Sequence, residues 1–104
     1  MPKSNIEFFR QAVERDPDNT FARYSLAMEY RKADRLEEAL ATFEDLLARD
    51  PGYVVAYHMA GETAIALGQT EKARDFLERG IAAAQKANNQ HAVEKMTELL
   101  ESLG

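Results

Sequence analysis

The chain has 104 residues, of which 45% are hydrophobic and 30% charged, with a net charge of −5 and no cysteine. This composition predicts a single globular domain and excludes disulfides and thiolate metal sites. Acidic and basic residues are mixed throughout, so we expect no nucleic-acid partner, which would require a basic face. The start of the chain has no apolar signal segment, and no apolar run reaches the roughly 20 residues of a membrane span. We therefore expect a cytoplasmic protein that does not contact a membrane.

The first predicted helix begins after Ser4 or Asn5, either of which can cap it, and ends near Arg15. Four apolar residues at helical spacing share one face: Ile6, Phe9, Ala12 and Val13. Phe8 lies beside Phe9 on a different face. We expect Phe8 to be partly exposed, or covered by something outside this chain.

A helix break at Asp16-Pro17 returns at Asp50-Pro51, 34 residues later. Proline disfavours the helical conformation of the residue before it and has no backbone donor, so each pair of residues predicts a break. A period of this length indicates a helical repeat. The pattern divides one domain of residues 1–104 into a half repeat, two full repeats and a last helix, at residues 4–17, 20–53, 54–87 and 90–103.

Each full repeat predicts two helices. In the first repeat, Asn19 or Thr20 caps a helix that ends near Lys32, and a second helix spans residues 36–49. Glutamates in the first turn of that second helix suit the positive end of the helix dipole.

In the second repeat, Gly68 is expected to end one helix in the left-handed conformation, and Thr70 to cap the next, which runs to about Lys86. Gly80 has no side chain and should allow a neighbouring helix to approach closely. The last helix carries four polar residues that suit the end of a repeat array: Glu94, Lys95, Glu98 and Glu101.

The repeat resembles the tetratricopeptide repeat, whose pattern is W-x2-L-G-x2-Y, then A-x3-F, then P. The first copy supplies Arg23, Leu26, Ala27, Tyr30, Ala39, Phe43 and Pro51. The second supplies Tyr57, Ala60, Gly61, Ala64, Ala73 and Leu77. Arg23 replaces an aromatic residue, which should weaken one packing contact, and Gln85 replaces the second proline, so that helix should run on. The resemblance implies an all-α, right-handed solenoid of about six helices with a C-terminal capping helix.

The resemblance also implies that the first helices of successive repeats line a concave groove that binds a segment of a partner protein. The helix face opposite the packing positions gives these groove residues: Phe21, Tyr24, Met28, Arg31, Val55, His58, Glu62 and Ile65. The last helix would add His91, Glu94, Glu98 and Glu101. Such a surface fits a peptide with an apolar anchor followed by Lys or Arg. The alternative is that Phe21 and Met28 pack on the half repeat and the glutamates only aid solubility.

The resemblance and the groove that it implies predict a non-catalytic adaptor or assembly scaffold with no cofactor. Some members of the family hold the C-terminal carboxylate of heat-shock chaperones with Lys, Asn and Arg, and the comparable face here has no such set. The sequence has no glycine-rich phosphate loop. His58 and Glu62, one helical turn apart, are the nearest approach to a catalytic or metal pair, with help from His91, but such spacing is also common in ordinary surface contacts.

Self-association is the second hypothesis. The first helix, with Ile6 and Phe8 on or near its open face, lacks the preceding helix that a complete repeat would provide. Two chains can cover these faces in a symmetric homodimer. The chain can equally be one module of a longer array, or the short segment before the first helix can cover that face.

Overall fold

The computed structural model describes residues 5–104, which form six α-helices. They are α1 (Ile6–Arg15), α2 (Thr20–Lys32), α3 (Leu36–Arg49), α4 (Val54–Ala66), α5 (Thr70–Lys86) and α6 (Gln90–Glu101). None of these six helices is both long and apolar enough to cross a bilayer. The predicted all-α helical repeat fold is confirmed.

Each helix packs mainly on the next one along the chain, and α4 also touches α6. The contacts combine small residues on the first helix of each pair with large residues on the second. Ala27 and Ala60 are fully buried on α2 and α4, while Phe43 and Leu77 are fully buried on α3 and α5. Small residues let the helix axes approach, and the large side chains fill the space between them.

The helix starts use two asparagine caps. Asn19 Oδ1 accepts a hydrogen bond from the backbone N–H of Ala22 at 3.0 Å, which decides between the two cap candidates of α2. The Asn89 side chain caps α6 in the same way. Asn5 occupies the cap position of α1 without a side-chain bond, and Ser4 lies outside the described residues.

The predicted capping role of Thr70 is wrong, because Thr70 is already the first residue of α5 and Gln69 occupies the cap position. Gly68 has a φ of +75°, as expected for a residue that ends a helix in the left-handed region. The Gln69 N–H then reaches back to the carbonyl of Ala64 at 2.8 Å. Only Gln69 lies between Gly68 and α5 in this turn, so α5 begins at Thr70, one residue before the predicted start.

Gly80 brings α4, α5 and α6 close together. A Cβ built on Gly80 would lie 2.5 Å from Tyr57 Cβ and 2.5 Å from Met96 Sδ, so any larger residue would collide with both neighbours. Met96, on α6, is fully buried at this contact. α5 runs on to Lys86, as the missing proline at position 85 predicts, and its last turns carry α6 into place beside α4.

Arg23 compensates for the missing aromatic residue. It is only 5% exposed, and its Nη1 donates a hydrogen bond to the carbonyl of Pro17. Its Nε also lies 3.0 Å from Oδ2 of Asp45. In the second repeat, the hydroxyl of Tyr57 donates to the carbonyl of Pro51 at 2.7 Å. The expected loss of an aromatic contact is thus accompanied by retention of the hydrogen bond that ties the helix to the preceding turn.

Candidate functional site

A groove runs between α4 and α6, the first helix of the second repeat and the last helix. It consists of two adjoining depressions that share His58 and Lys95. The N-terminal lobe, about 340 Å³, is lined by Val54, Val55, His58, Asn89, His91, Ala92, Lys95 and Met96. The C-terminal lobe, about 510 Å³, is lined by His58, Glu62, Lys95, Glu98, Leu99 and Ser102.

The N-terminal lobe has an apolar floor with polar groups around it. Val54, Val55, Ala92 and Met96 supply the apolar surface. Val55 is 44% exposed, which is unusual for a large aliphatic residue of this protein. A partner side chain that covered Val55 would remove apolar surface from water on both molecules, the main source of favourable binding free energy.

Glu62 joins α2 to α4 through a small polar network. Its Oε1 lies 3.4 Å from Arg31 Nη1, and its Oε2 lies 3.3 Å from His58 Nε2. Arg31 Nη1 also contacts Met59 Sδ at 3.7 Å. Both oxygens of the Glu62 carboxylate are therefore engaged within the protein, and this glutamate offers less charge to a partner than the sequence indicates.

The groove face of α6 differs from the one predicted. Lys95, which the sequence assigned to the polar outer surface, lies where the two lobes meet. His91 lines the N-terminal lobe and Glu98 the C-terminal lobe. Glu94 and Glu101 are exposed but line neither lobe. The surface of α6 in the groove thus carries both signs of charge instead of being uniformly acidic.

The predicted residues on α2 differ in exposure. Phe21 is 67% exposed, so it does not pack on the half repeat. Met28 is half-buried against the core. Tyr24 is also half-buried, with its ring centroid 5.5 Å from that of Tyr53 and 6.1 Å from that of Phe43. Tyr24 therefore has a packing role in addition to any contact with a partner.

The environment of Tyr24 also changes its acidity. Burial is the largest influence and raises the pKa of the Tyr24 phenol. The neighbouring Tyr53 raises this pKa further, while Arg31 lowers it.

Ile65, the last predicted groove residue on α4, is half-buried and packs against the core.

The arrangement around His58 is a polar contact between neighbouring side chains. Within residues 5–104, no three or more histidine, aspartate or glutamate side chains are grouped so that they could hold a metal ion. His58 lines both lobes, with His91 beside it in the N-terminal lobe and Glu62 in the C-terminal lobe. His58 and Glu62 are thus neighbouring side chains in the wall of the groove.

The face predicted for self-association is smaller than expected. Ile6 is only 7% exposed and belongs to the core, so it is not available to a second chain. Phe8 is 63% exposed, with its ring edge against Phe9 at a centroid distance of 5.1 Å. Phe8 is thus the exposed large apolar side chain on α1.

The chain is similar to known proteins both in sequence and in fold. Two family models described as tetratricopeptide repeat match residues 30–96 and residues 2–57. A TPR repeat-containing protein of Pseudomonas aeruginosa is 28% identical over 98 residues, which cover 94% of this chain and 93% of that protein.

Two solved structures illustrate the similarity in fold. The solution structure of a tetratricopeptide repeat domain protein from Salinibacter ruber is 34% identical, with a TM-score of 0.79, and the match covers 85% of this chain and 89% of that one. The TPR2B domain of yeast Sti1, in complex with pHsp70, is 19% identical with a TM-score of 0.87, covering 94% of this chain and 78% of that one. At that identity the yeast structure supports the fold alone.

Proposed function

The chain belongs to the tetratricopeptide repeat family, and from this premise we propose that it is a non-catalytic protein-interaction module, an adaptor or assembly scaffold. It binds a segment of a partner protein in the groove between α4 and α6. The segment carries an apolar residue that fills the N-terminal lobe and a basic residue that faces Glu98 in the C-terminal lobe. Arg31 and Phe21 extend the same surface onto α2.

The observation that carries this proposal is the exposed apolar floor of the N-terminal lobe. Val55 remains accessible beside Val54 and Ala92, although most large aliphatic side chains of the protein are covered. An open apolar depression with a polar rim is the usual form of a binding site. The yeast neighbour, which has the same fold, is in complex with pHsp70.

A peptide selection tests this proposal. Immobilised wild-type protein is exposed to a random library of 12-residue peptides with amidated C-termini, and the enriched peptides are then measured individually by fluorescence anisotropy. Val55→Glu places a carboxylate on the apolar floor, and we expect it to weaken binding of the enriched peptides at least about tenfold. The control variant Phe8→Ser removes an exposed apolar residue outside the groove and should bind these peptides as the wild type does.

Two results would contradict groove binding. One is a library from which the wild-type protein enriches no peptide. The other is a set of enriched peptides that bind Val55→Glu as tightly as the wild type. Circular dichroism of each variant establishes that it is folded, which we expect because both positions are exposed.

Self-association through α1 is a second candidate function, favoured by the exposure of Phe8. A second copy of the chain can cover this side chain in a symmetric contact, and aromatic residues are common at the centres of such contacts. Light scattering over about a hundredfold range of concentration measures the mass. This candidate requires a mass that rises above 11.7 kDa with concentration, and a Phe8→Glu protein that stays at 11.7 kDa. An unchanged wild-type mass removes it.

A further inference from the structure

Lys95 lines both lobes of the groove. Among residues 5–104, its ammonium group has neither an ion-pair nor a hydrogen-bond partner. Arg31, the cation that reaches Glu62 from α2, is by contrast engaged in an ion pair. A lysine left without a carboxylate at the centre of a groove is available to an incoming one.

The two lobes have different charge. Among the residues that the structure describes, no acidic side chain lines the N-terminal lobe, where Lys95 lies with His58 and His91 beside the apolar floor. The C-terminal lobe contains two carboxylates, and one of them, Glu62, is already engaged with Arg31 and His58. Glu98 is the carboxylate there without a partner among the described residues. Lys95 therefore separates a lobe that attracts negative charge from one that attracts positive charge.

We propose that Lys95 selects partner segments in which an acidic side chain accompanies the apolar anchor. The apolar residue occupies the N-terminal lobe, its acidic neighbour pairs with Lys95, and a basic residue further along the segment faces Glu98. This inference rests on the proposed groove function and adds to it a required acidic residue and an order of charges. Charge-assisted contacts of this kind contribute mainly to specificity and register.

The acidic group is a side chain within the segment and not the free carboxylate at its end. The groove continues past Lys95 into the C-terminal lobe as far as Ser102. A chain that ended at Lys95 would leave that lobe, with Glu98, unoccupied. A segment that uses both lobes has to pass Lys95, so the carboxylate beside Lys95 belongs to an internal Asp or Glu.

The selected peptides provide the test. Among the amidated peptides enriched by the wild-type protein, we expect an Asp or Glu beside an apolar residue, with Lys or Arg further along. Replacing that acid by its amide should weaken binding to the wild type about fivefold, the scale of one partly exposed ion pair. The same replacement should have no effect on binding to Lys95→Met, which keeps the aliphatic stem and removes the charge.

Lys86→Met is the matched control. Lys86 also lacks an ion pair among the described residues, but it lies on α5 beside a different depression, so this variant should respond to the peptide change as the wild type does. The inference is overturned if the enriched peptides lack the acid. It is likewise overturned if Lys95→Met, compared with the wild type, binds the acidic peptide and the amide peptide more weakly by the same factor. It is also overturned if a free C-terminal carboxylate replaces the internal acid without loss. In each of these cases groove binding itself stands, whereas a library with no enriched peptide contradicts both.

Discussion

The clearest quantitative prediction concerns Arg23, which performs in the first repeat the task of Tyr57 in the second. Arg23→Ala removes two buried methylenes, worth about 1.6 kcal/mol, and a charge-assisted hydrogen bond to the Pro17 carbonyl, worth about 1.5–3 kcal/mol. The ion pair with half-exposed Asp45 adds only about 0.5 kcal/mol. Because water can reach the freed carbonyl of exposed Pro17, the lower limit for the hydrogen bond applies, and we expect a total loss of about 3.6 kcal/mol.

Two further variants separate these contributions. Arg23→Met keeps the buried stem and should lose about 2 kcal/mol, the polar part alone. Arg23→Tyr keeps the burial and can donate its hydroxyl to Pro17, as Tyr57 does to Pro51, so it should lose about 1 kcal/mol or less.

Urea unfolding followed by circular dichroism gives the free energies, provided that all four proteins share one slope with denaturant. If Arg23→Tyr is destabilised as much as Arg23→Ala, the hydrogen bond to the preceding turn is not what Arg23 contributes. The partner positions extend the test: Asp45 faces Arg23, and 34 residues later Arg79 lies over the ring of Tyr57 at 5.5 Å. Adding Asp45→Arg to Arg23→Tyr should therefore recover about 0.5–1 kcal/mol through a cation–π contact.

Three other substitutions have defined outcomes. Gly80→Ala forces α5 away from Tyr57 and Met96, and should lower the free energy of unfolding by about 1–3 kcal/mol; an unchanged urea midpoint would contradict the close approach. Gly68→Ala has space around the new methyl but a φ of +75°, so we expect a loss of about 1 kcal/mol, a fall of roughly 4–8 °C in the melting temperature. Because the folded-state pKa of Tyr24 is raised, its contribution to stability is complete below the ordinary tyrosine value of about 10 and is lost as pH rises through the folded value. Tyr24→Phe should thus move the alkaline unfolding midpoint to higher pH, and an unmoved midpoint would contradict this.

The helices could be predicted from the sequence because local residues determine where each helix begins and ends. Asp16-Pro17 and Asp50-Pro51 break the chain, Gly68 ends a helix, and apolar spacing defines the faces between them. The position of Thr70 was misassigned because the turn before it depends on a hydrogen bond from Gln69 to Ala64, which residue types alone do not specify.

The residues that line the groove could be predicted from the sequence only in part, for a related reason. The residues of α4 were assigned by their offset within the repeat, and Val55, His58 and Glu62 do line the lobes. The same offset did not select Lys95 on α6, because the face that α6 turns toward α4 depends on how α6 rests on α5. That rotation is decided by the contact of Met96 with Gly80, a tertiary contact that no single-helix pattern contains.

The sequential packing of the six helices has a consequence for the groove. In such an array, a helix that contacts mainly one other helix can detach without disturbing the rest. Within residues 5–104, α6 packs mainly on α5, with Met96 as its fully buried anchor, and it forms one wall of the groove. A bound segment that contacts both α4 and α6 should therefore oppose the detachment of α6. It should slow amide hydrogen exchange in α6 and leave the exchange rates of α1 unchanged.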